Sequence, residues 1–358
     1  MNAAVISLGS LSSKWTVEAM KNYFDEVDAI DIRYIEITFS GEKANILYKG
    51  EPLKKYDCIF AKGSFRYANL MKSFTILRSN ESYLPISDRA FTISHDKLLT
   101  QMEFQRNGIP MPTTYMASTI DAARSILERL NYPIIMKFPQ GTQGKGVLFS
   151  ESFASASSIL DALSSLRQPF IIQEYIETGG TDLRAFVIGD EVVAAFQRKA
   201  TVKEKRANTH AGGSGEVIEL TDEEKRIAVK AAKSVGAEIA GVDILRSHRG
   251  PVIIEINISP GLQGITKYSG IDVADKIAKY LFDNTKEKVL ADHDLTADKI
   301  MNEIEQVDKD QTLITTLDFR GSRVLLPEVI TKIAKLKDEA DYEFTARDGV
   351  VKIKKFNM

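Results

Sequence analysis

The chain has 358 residues, 44% hydrophobic and 27% charged, with a formal net charge of −2; this length supports two or three domains with their own cores, and the balance excludes a strongly basic nucleic-acid-binding or polybasic membrane surface. The single cysteine, Cys58, excludes an internal disulfide framework and a cysteine zinc site, while the opening MNAAVISLGS lacks the pattern of a secretion signal and no stretch approaches a transmembrane span. These features predict a soluble, cytoplasmic protein with a small-molecule or local-epitope partner, no membrane and no direct nucleic-acid contact.

Residues 1–94 open with AAVISLG, a buried-strand pattern, and the segment after Gly9 leads into a helical stretch around 15–24. Strand-like runs recur at 29–39, 44–48 and 57–61, and strands alternating with helices predict an open α/β layer. No GxGxxG follows the first strand, so no dinucleotide fingerprint is present. At one strand end, Ala61-Lys62-Gly63-Ser64-Phe65-Arg66 reads either as the lining of a ligand pocket or as a solvated loop.

A helix is expected to start near Ser94, to bury Leu98, Met102 and Phe104, and to stop at Asn107-Gly108 before two prolines. Lys97 falls in its first turn, where the helix dipole disfavours a cation, a weak pointer to an anion nearby. In YPIIMKFPQGTQGKGVLFS, strand-like runs at 133–139 and 147–150 flank a loop whose glycines, Gly141, Gly144 and Gly146, let backbone N–H groups approach phosphate. The loop is not a Walker A motif, because G-x-x-x-x-G-K-[ST] is absent and a strand follows it. Lys137 lies in the apolar run before it, so it should face a phosphate or a carboxylate, or else snorkel from an edge strand.

A helix over 154–166 reads as scaffold, and PFIIQEYI (169–176) as a buried strand whose end, Glu174-Tyr175, can offer backbone groups to a planar base. DLRAFVIGDEVVAAFQRKA reads as a hairpin turning at Gly189-Asp190, with Asp182 and Arg184 at one end and Arg198-Lys199 at the other. The polar loop KEKRANTHAGGSG adds Arg206, Asn208 and His210, so the basic residues form either an anion funnel or a solvated charged face. TDEEKRIAVKAAKSVGAEI is an amphipathic helix capped by Thr221. In AGVDILRSHRGPVIIEINISPGLQG, Asp243 lies in one apolar run, and Glu255 and Asn257 lie two residues apart on one face of the next. Carboxylates with an amide oxygen suit Mg²⁺, which completes its octahedron with waters and nucleotide phosphates. The hairpin therefore reads as a metal–nucleotide site, with ordinary exposed carboxylates as the alternative. A helix at 271–282 is expected to close this domain. Beyond the charged connection DNTKEKVLADHD, a helix at 296–307, the run TLITTLDF, a second helix at 327–336 and the runs YEFTA and VVKIKKF suggest a small β-α-β-β appendage.

With HDKL, GTQGKGV, QEYI, DLRAFVIGDEVVAA, the Arg206/Asn208 loop, AGVDILR, EIN and SPGL in this order, the chain resembles the RimK-type α-L-glutamate ligases of the ATP-grasp superfamily. The resemblance is continuous over about residues 90–285 and looser over 1–90. It implies an ATP-grasp fold of mixed α+β and α/β class: an N-terminal open α/β domain (1–94), a small lobe with the glycine-rich loop (95–172), a catalytic lobe with the metal site (173–283), and the appendage (284–358). It implies that ATP phosphorylates a carboxylate and that an amine attacks the acyl phosphate, giving an amide, ADP and phosphate. By the same resemblance, Lys97 and Lys137 hold the nucleotide phosphates beneath the loop of Gly141, Gly144 and Gly146. Glu174 and Tyr175 then take adenine, Asp182 the ribose, and Arg198, Arg206 and Asn208 the phosphate and the reacting carboxylate. Asp243, Glu255 and Asn257 take Mg²⁺, two ions by the family pattern, with Mn²⁺ as a substitute. The implied partners are L-glutamate or a similar amine donor and a carboxylate acceptor, which in this family is a protein C-terminus, a carrier protein or a coenzyme; a homo-oligomer is compatible. Departures from the family pattern at Ala207, at residues 62–66 and in the appendage leave the acceptor open. A second reading is a non-catalytic ATP-binding regulator with the appendage as its output module; the complete Asp243, Glu255 and Asn257 set argues against it.

Overall fold

β1 (Asn2–Ser7) carries five consecutive buried residues, as expected of a parallel strand covered on both faces. The computed structural model describes residues 1–356 apart from 42, 140–145, 166–168, 200–213, 306–317 and 339, with backbone only for 214, 293–305, 329 and 333. After β1 comes α1 (Leu11–Met20), where Ser10 caps the helix by accepting the Ser13 N–H, and β2 (Glu26–Asp31), which pairs parallel to β1. The strand expected over 29–39 is broken by a 3-10 turn at Ile32–Tyr34 that Asp31 caps. β3 (Ile35–Ser40) instead joins β4 (Lys43–Tyr48) and β5 (Glu51–Pro52) in a separate antiparallel sheet. β6 (Cys58–Ala61) completes the parallel sheet in the order β2-β1-β6, with Cys58 fully buried in it and its thiol pushed up to about 12 by that burial.

α2 (Ala68–Arg78) and α3 (Asp88–Ile93) follow, and α4 (Lys97–Arg106) starts one turn later than expected because Asp96 accepts the N–H groups of Leu98 and Leu99. Thr100, Gln101 and Phe104 form its buried face at helical spacing; Met102 lies off that face and is 53% exposed, contrary to expectation. The next lobe comprises β7 (Thr114–Tyr115), α5 (Ile120–Glu128), β8 (Ile134–Lys137), β9 (Val147–Ser150), α6 (Phe153–Ser165) and β10 (Ile171–Glu174). Its sheet is antiparallel in the order β7-β10-β8-β9, and its core, with Leu127, Met136, Leu160 and Ile172, is separate from that of the rest of the chain.

β11 (Thr181–Ile188) and β12 (Glu191–Lys199) form the expected hairpin. With β13 (Ser214–Val217), β14 (Ile239–Ser247) and β15 (Gly250–Asn257) they build a five-stranded antiparallel sheet in the order β13-β12-β11-β14-β15. α7 (Asp222–Val235) packs on this sheet between a Thr221/Glu224 capping box and Gly236, whose φ of 82° ends the helix in the left-handed region. α8 (Leu262–Ser269), not expected from the sequence, follows the Ser259-Pro260-Gly261 loop. This lobe and the N-terminal domain share one hydrophobic core, to which Ile6, Phe60 and Phe91 contribute from one side and Ile227, Val242 and Ile277 from the other. Hydrogen bonds cross the junction from the Leu262 N–H to Ser12 Oγ (2.8 Å) and from the Tyr23 hydroxyl to Asp275 (2.8 Å).

α9 (Val273–Glu305) corrects the reading of two helices and a charged connection, because nothing between them is a glycine or proline that would break the helix. The chain divides into units at Met1–Asp292 and His293–Met358. In the second unit, β16 (Asp318–Arg320) and β17 (Arg323–Leu325) form a hairpin, α10 (Glu328–Ile333) follows, and β18 (Tyr342–Arg347) pairs with β19 (Val350–Lys355). The expected β-α-β-β order is therefore corrected to two hairpins around a helix. The missed hairpin turns at Gly321, whose φ is 65°.

Candidate active site

Strand register alone assembles a row of charges across the five-stranded sheet. Asp182 on β11 faces Arg198 on β12, Arg184 two residues along β11 faces Asp243 on β14, and Asp243 in turn faces Glu255 on β15. Residues two apart on a strand share a face, so these side chains converge. Arg198 donates to both Asp182 oxygens (2.5 and 2.6 Å) and lies 2.8 Å from Asp243, while Arg184 donates to both Asp243 oxygens. Asp182, Arg198 and Asp243 are all buried. Burial disfavours the Asp243 charge, but the guanidinium groups of Arg184 and Arg198 outweigh it and hold the carboxyl below the usual range. Burial pushes Asp182 up to about 6, opposed by Arg198 and reinforced by the Asp243 charge.

At the open end of the row, Glu255 and Asn257 line a cleft of about 520 Å³ together with Lys97, Lys62 and His95. Asn257 keeps its amide oriented by accepting the Ser259 N–H at 2.9 Å. Three N–H groups occupy Asp243, and an ionised carboxylate has about four acceptor positions. Glu255 and Asn257 present a carboxylate and an amide to the cleft, oxygen donors of the kind Mg²⁺ takes, whereas Asp243, expected with them, has both oxygens engaged by Arg184 and Arg198 and is not among the residues that line the cleft. Among the described residues, no three His, Cys, Asp or Glu side chains form a metal-holding group, so a cation here would rely on the asparagine amide and on ligand oxygens.

Lys137 ends β8 and is buried, with Nζ donating to Gln173 Oε1 on β10 at 2.8 Å. Burial pulls its ammonium down to about 8, with the Glu255 charge opposing and the Lys97 charge reinforcing that shift. The snorkelling alternative is thereby excluded, and the charges of Glu255 and Lys97, both of which line the cleft, act on Lys137. Lys97 is the first residue of α4, and its N–H donates to the Pro139 carbonyl at 2.9 Å, which links the helix start to the beginning of the glycine loop. Gly146, with φ 75°, closes that loop where a Cβ would overlap the Phe138 ring. Gly141 and Gly144 lie outside the described residues, as do Arg206 and Asn208.

Two residues expected to touch the nucleotide also make contacts within the chain. The Asp182 carboxylate accepts from Arg198 with both oxygens, which fixes that guanidinium in the row of charges. The Glu174 side chain accepts the Thr113 N–H at 3.1 Å and pairs with Arg249, so it clamps the end of β10 to neighbouring chain segments. The Tyr175 ring next to it packs edge-on against Phe149 at 5.1 Å. Arg184, which the sequence offers only as a member of the basic funnel, is brought onto Asp243 by the register of β11 and β14. A second chamber of about 440 Å³, lined by Arg184, Arg198, Lys267 and Tyr268, shares Asn257 and Gln263 with the first.

The description "RimK-like ATP-grasp domain" matches residues 94–281. A probable alpha-L-glutamate ligase of Vibrio cholerae is 37% identical over 77% of this chain and 93% of its own length, and one of Methanococcoides burtonii is 38% identical over 75% and 91%. Among solved structures, the ATP-grasp ligase PsnB complexed with a minimal precursor superposes with a TM-score of 0.63 at 20% identity, covering 79% of this chain and 98% of that one. A RimK domain ATP-grasp protein from Sphaerobacter thermophilus gives 0.61 at 16%, covering 78% and 99%. These structures share the ATP-grasp fold. The chain therefore belongs to the RimK-like ATP-grasp family and is an enzyme of its C–N bond-forming ligase type.

Proposed function

We propose that this protein is an ATP- and Mg²⁺-dependent ligase that joins L-glutamate to a carboxylate on a peptide terminus or a coenzyme, through an acyl phosphate. The observation that carries the reading is the meeting of Lys97, Glu255 and Asn257 in one cleft, with buried Lys137 coupled to it, in a chain whose relatives bear the name alpha-L-glutamate ligase. Lys97 and Lys137 hold the β- and γ-phosphates by charge, and the backbone around Gly146 closes over them. Glu255 and Asn257, with Asp243 behind them in the row of charges, would hold Mg²⁺, or Mn²⁺ with the same oxygen preference, one ion or two, and the metal would supply charge neutralisation for the phosphoryl group. Arg198 and Arg184, fixed by Asp182 and Asp243, orient the reacting carboxylate, with Arg206 and Asn208 assigned beside them by resemblance. The carboxylate oxygen takes the γ-phosphoryl group and ADP departs; the amine then attacks the acyl carbon, loses a proton and expels phosphate. Positioning and electrostatics do most of this catalysis.

The test is incubation with ATP, Mg²⁺, isotopically labelled L-glutamate and whole-cell extract, followed by mass spectrometry. ADP release with a glutamyl mass increment on a peptide or coenzyme is expected. Nucleotide binding without any increment in the acceptor pool would remove the reading.

A further inference from the structure

Lys62 is a buried cation with no counterion among the described residues. It follows β6, its N–H donates to the Ile6 carbonyl at 2.7 Å, and its side chain is only 5% exposed. The next residue, Gly63, packs so closely on Met71 and Phe91 that a Cβ would come within 3.1 and 3.2 Å of them, which holds the strand end in place. The only acceptor for the ammonium among the described residues is the Pro260 carbonyl, at 3.5 Å, and the Phe60 ring lies beneath it at 5.4 Å. No carboxylate lies within ion-pair distance among the described residues, and burial alone pulls the ammonium down to about 8. An ammonium left in this condition is costly unless a ligand pairs with it.

The ammonium is placed where such a ligand would sit. Lys62 lines the same cleft as Glu255 and Asn257 but on the N-terminal-domain side. The first turn of α1, through Ser10, Ser12 and Ser13, borders that side too, and helix N-terminal N–H groups favour anions. His95 lines the cleft as well, and its Nε2 is buried with no hydrogen-bond partner among the described residues. Leu8 and Phe65, 45% and 48% exposed, stand at the rim and offer apolar contact to the body of a ligand. A cationic floor beneath an apolar rim fits a carboxylate carried on an amino acid or peptide.

We propose that Lys62 is a substrate-binding residue whose ammonium seats a carboxylate of one of the two joined substrates, so that the N-terminal domain supplies a specificity subsite of the ligase. This rests on the ligase reading, and the carboxylate has two sources, the incoming amino acid or the acceptor. The experiment uses the full chain with Mg²⁺ and a non-hydrolysable ATP analogue, and titrates two probe pairs calorimetrically. One pair is L-glutamate and its α-amide; the other is N-acetyl-glutamyl-glutamate and its C-terminal amide. Lys62→Met is expected to weaken one carboxylate probe by about 10- to 100-fold, the range for losing one charge-assisted bond, while nucleotide affinity and melting temperature stay near wild type. The corresponding amide should bind both enzymes equally weakly, and Lys62→Arg should restore most of the loss. The probe that responds identifies the source. Unchanged binding of both probes overturns the inference and leaves the ligase reading standing, and an equal fall in nucleotide affinity overturns it by assigning Lys62 to the phosphates. Wild-type protein that binds nucleotide but neither probe removes both readings.

Discussion

Glu255 and Arg198 carry opposite obligations in the candidate site, and their substitution should fail in different ways. Glu255 is exposed to the cleft, and Glu255→Gln conserves its shape while removing the charge that would hold the metal. Its turnover should fall by at least about 10²-fold with little change in melting temperature; steady-state ADP release beside a thermal melt checks both, and near-normal kcat would reject the metal assignment. Arg198 is buried between Asp182 and Asp243. Arg198→Met leaves two buried carboxylates facing each other, so it should cost about 3–5 kcal/mol of stability as well as activity. Urea unfolding at neutral pH measures that loss.

At the scale of elements, the start of α7 and the end of the glycine loop have conformations that single residues enforce. Glu224 reciprocates the Thr221 cap and also accepts from Arg246 at 2.7 and 3.0 Å. Thr221→Ala should remove about 1 kcal/mol. Burial disfavours the Glu224 charge, but Arg246 and the Thr221 N–H outweigh it and lower its pKa. A lowered carboxyl pKa contributes stability above the ordinary glutamate value of about 4.3, and that contribution disappears as pH falls through the lowered value. Glu224→Gln should therefore flatten the acid limb of the stability profile between these two points, read by urea unfolding across pH. At the loop, Gly146→Ala meets both a positive φ and the Phe138 ring, and strain of this kind costs about 1–3 kcal/mol. If it falls on the closed loop, ATP should bind about 10- to 100-fold more weakly, as calorimetry would show, with the fold retained.

Considered as a whole molecule, the first unit contains both hydrophobic cores and every residue that lines the cleft. A chain ending at Asp292 should therefore fold and keep its ATP-dependent rise in melting temperature. Transfer of glutamate to the native acceptor then reports on the second unit: its loss in a folded, ATP-binding truncation assigns acceptor recognition to residues 293–358. The lobe from β7 to β10 has a core of its own, whereas the N-terminal domain and the five-stranded lobe share one. Amides of β8 and β10 should thus exchange through a lower-energy local opening than those of β1 and β14, which hydrogen exchange resolves.

What the sequence determined by itself was chemistry encoded over a few residues. The i, i+2 spacing placed Glu255 and Asn257 on one face, Thr221 and Glu224 specified a cap, and the glycines marked a loop and the β11–β12 hairpin, because strand period, capping and positive φ are local properties. The order of these motifs also carried the family resemblance. Only the tertiary structure decided which charges meet. Asp182 meets Arg198, Glu174 meets Arg249, and Lys62 is buried without a counterion among the described residues, because strand register and the junction between domains bring together residues far apart in the chain. The same holds for α9 and the appendage: charge content suggested a linker where helix continuity prevails, and β17, three residues long, is too short to announce the hairpin it completes at Gly321. Local pattern determines which groups are available, and long-range packing determines which of them are already satisfied and which remain for a ligand.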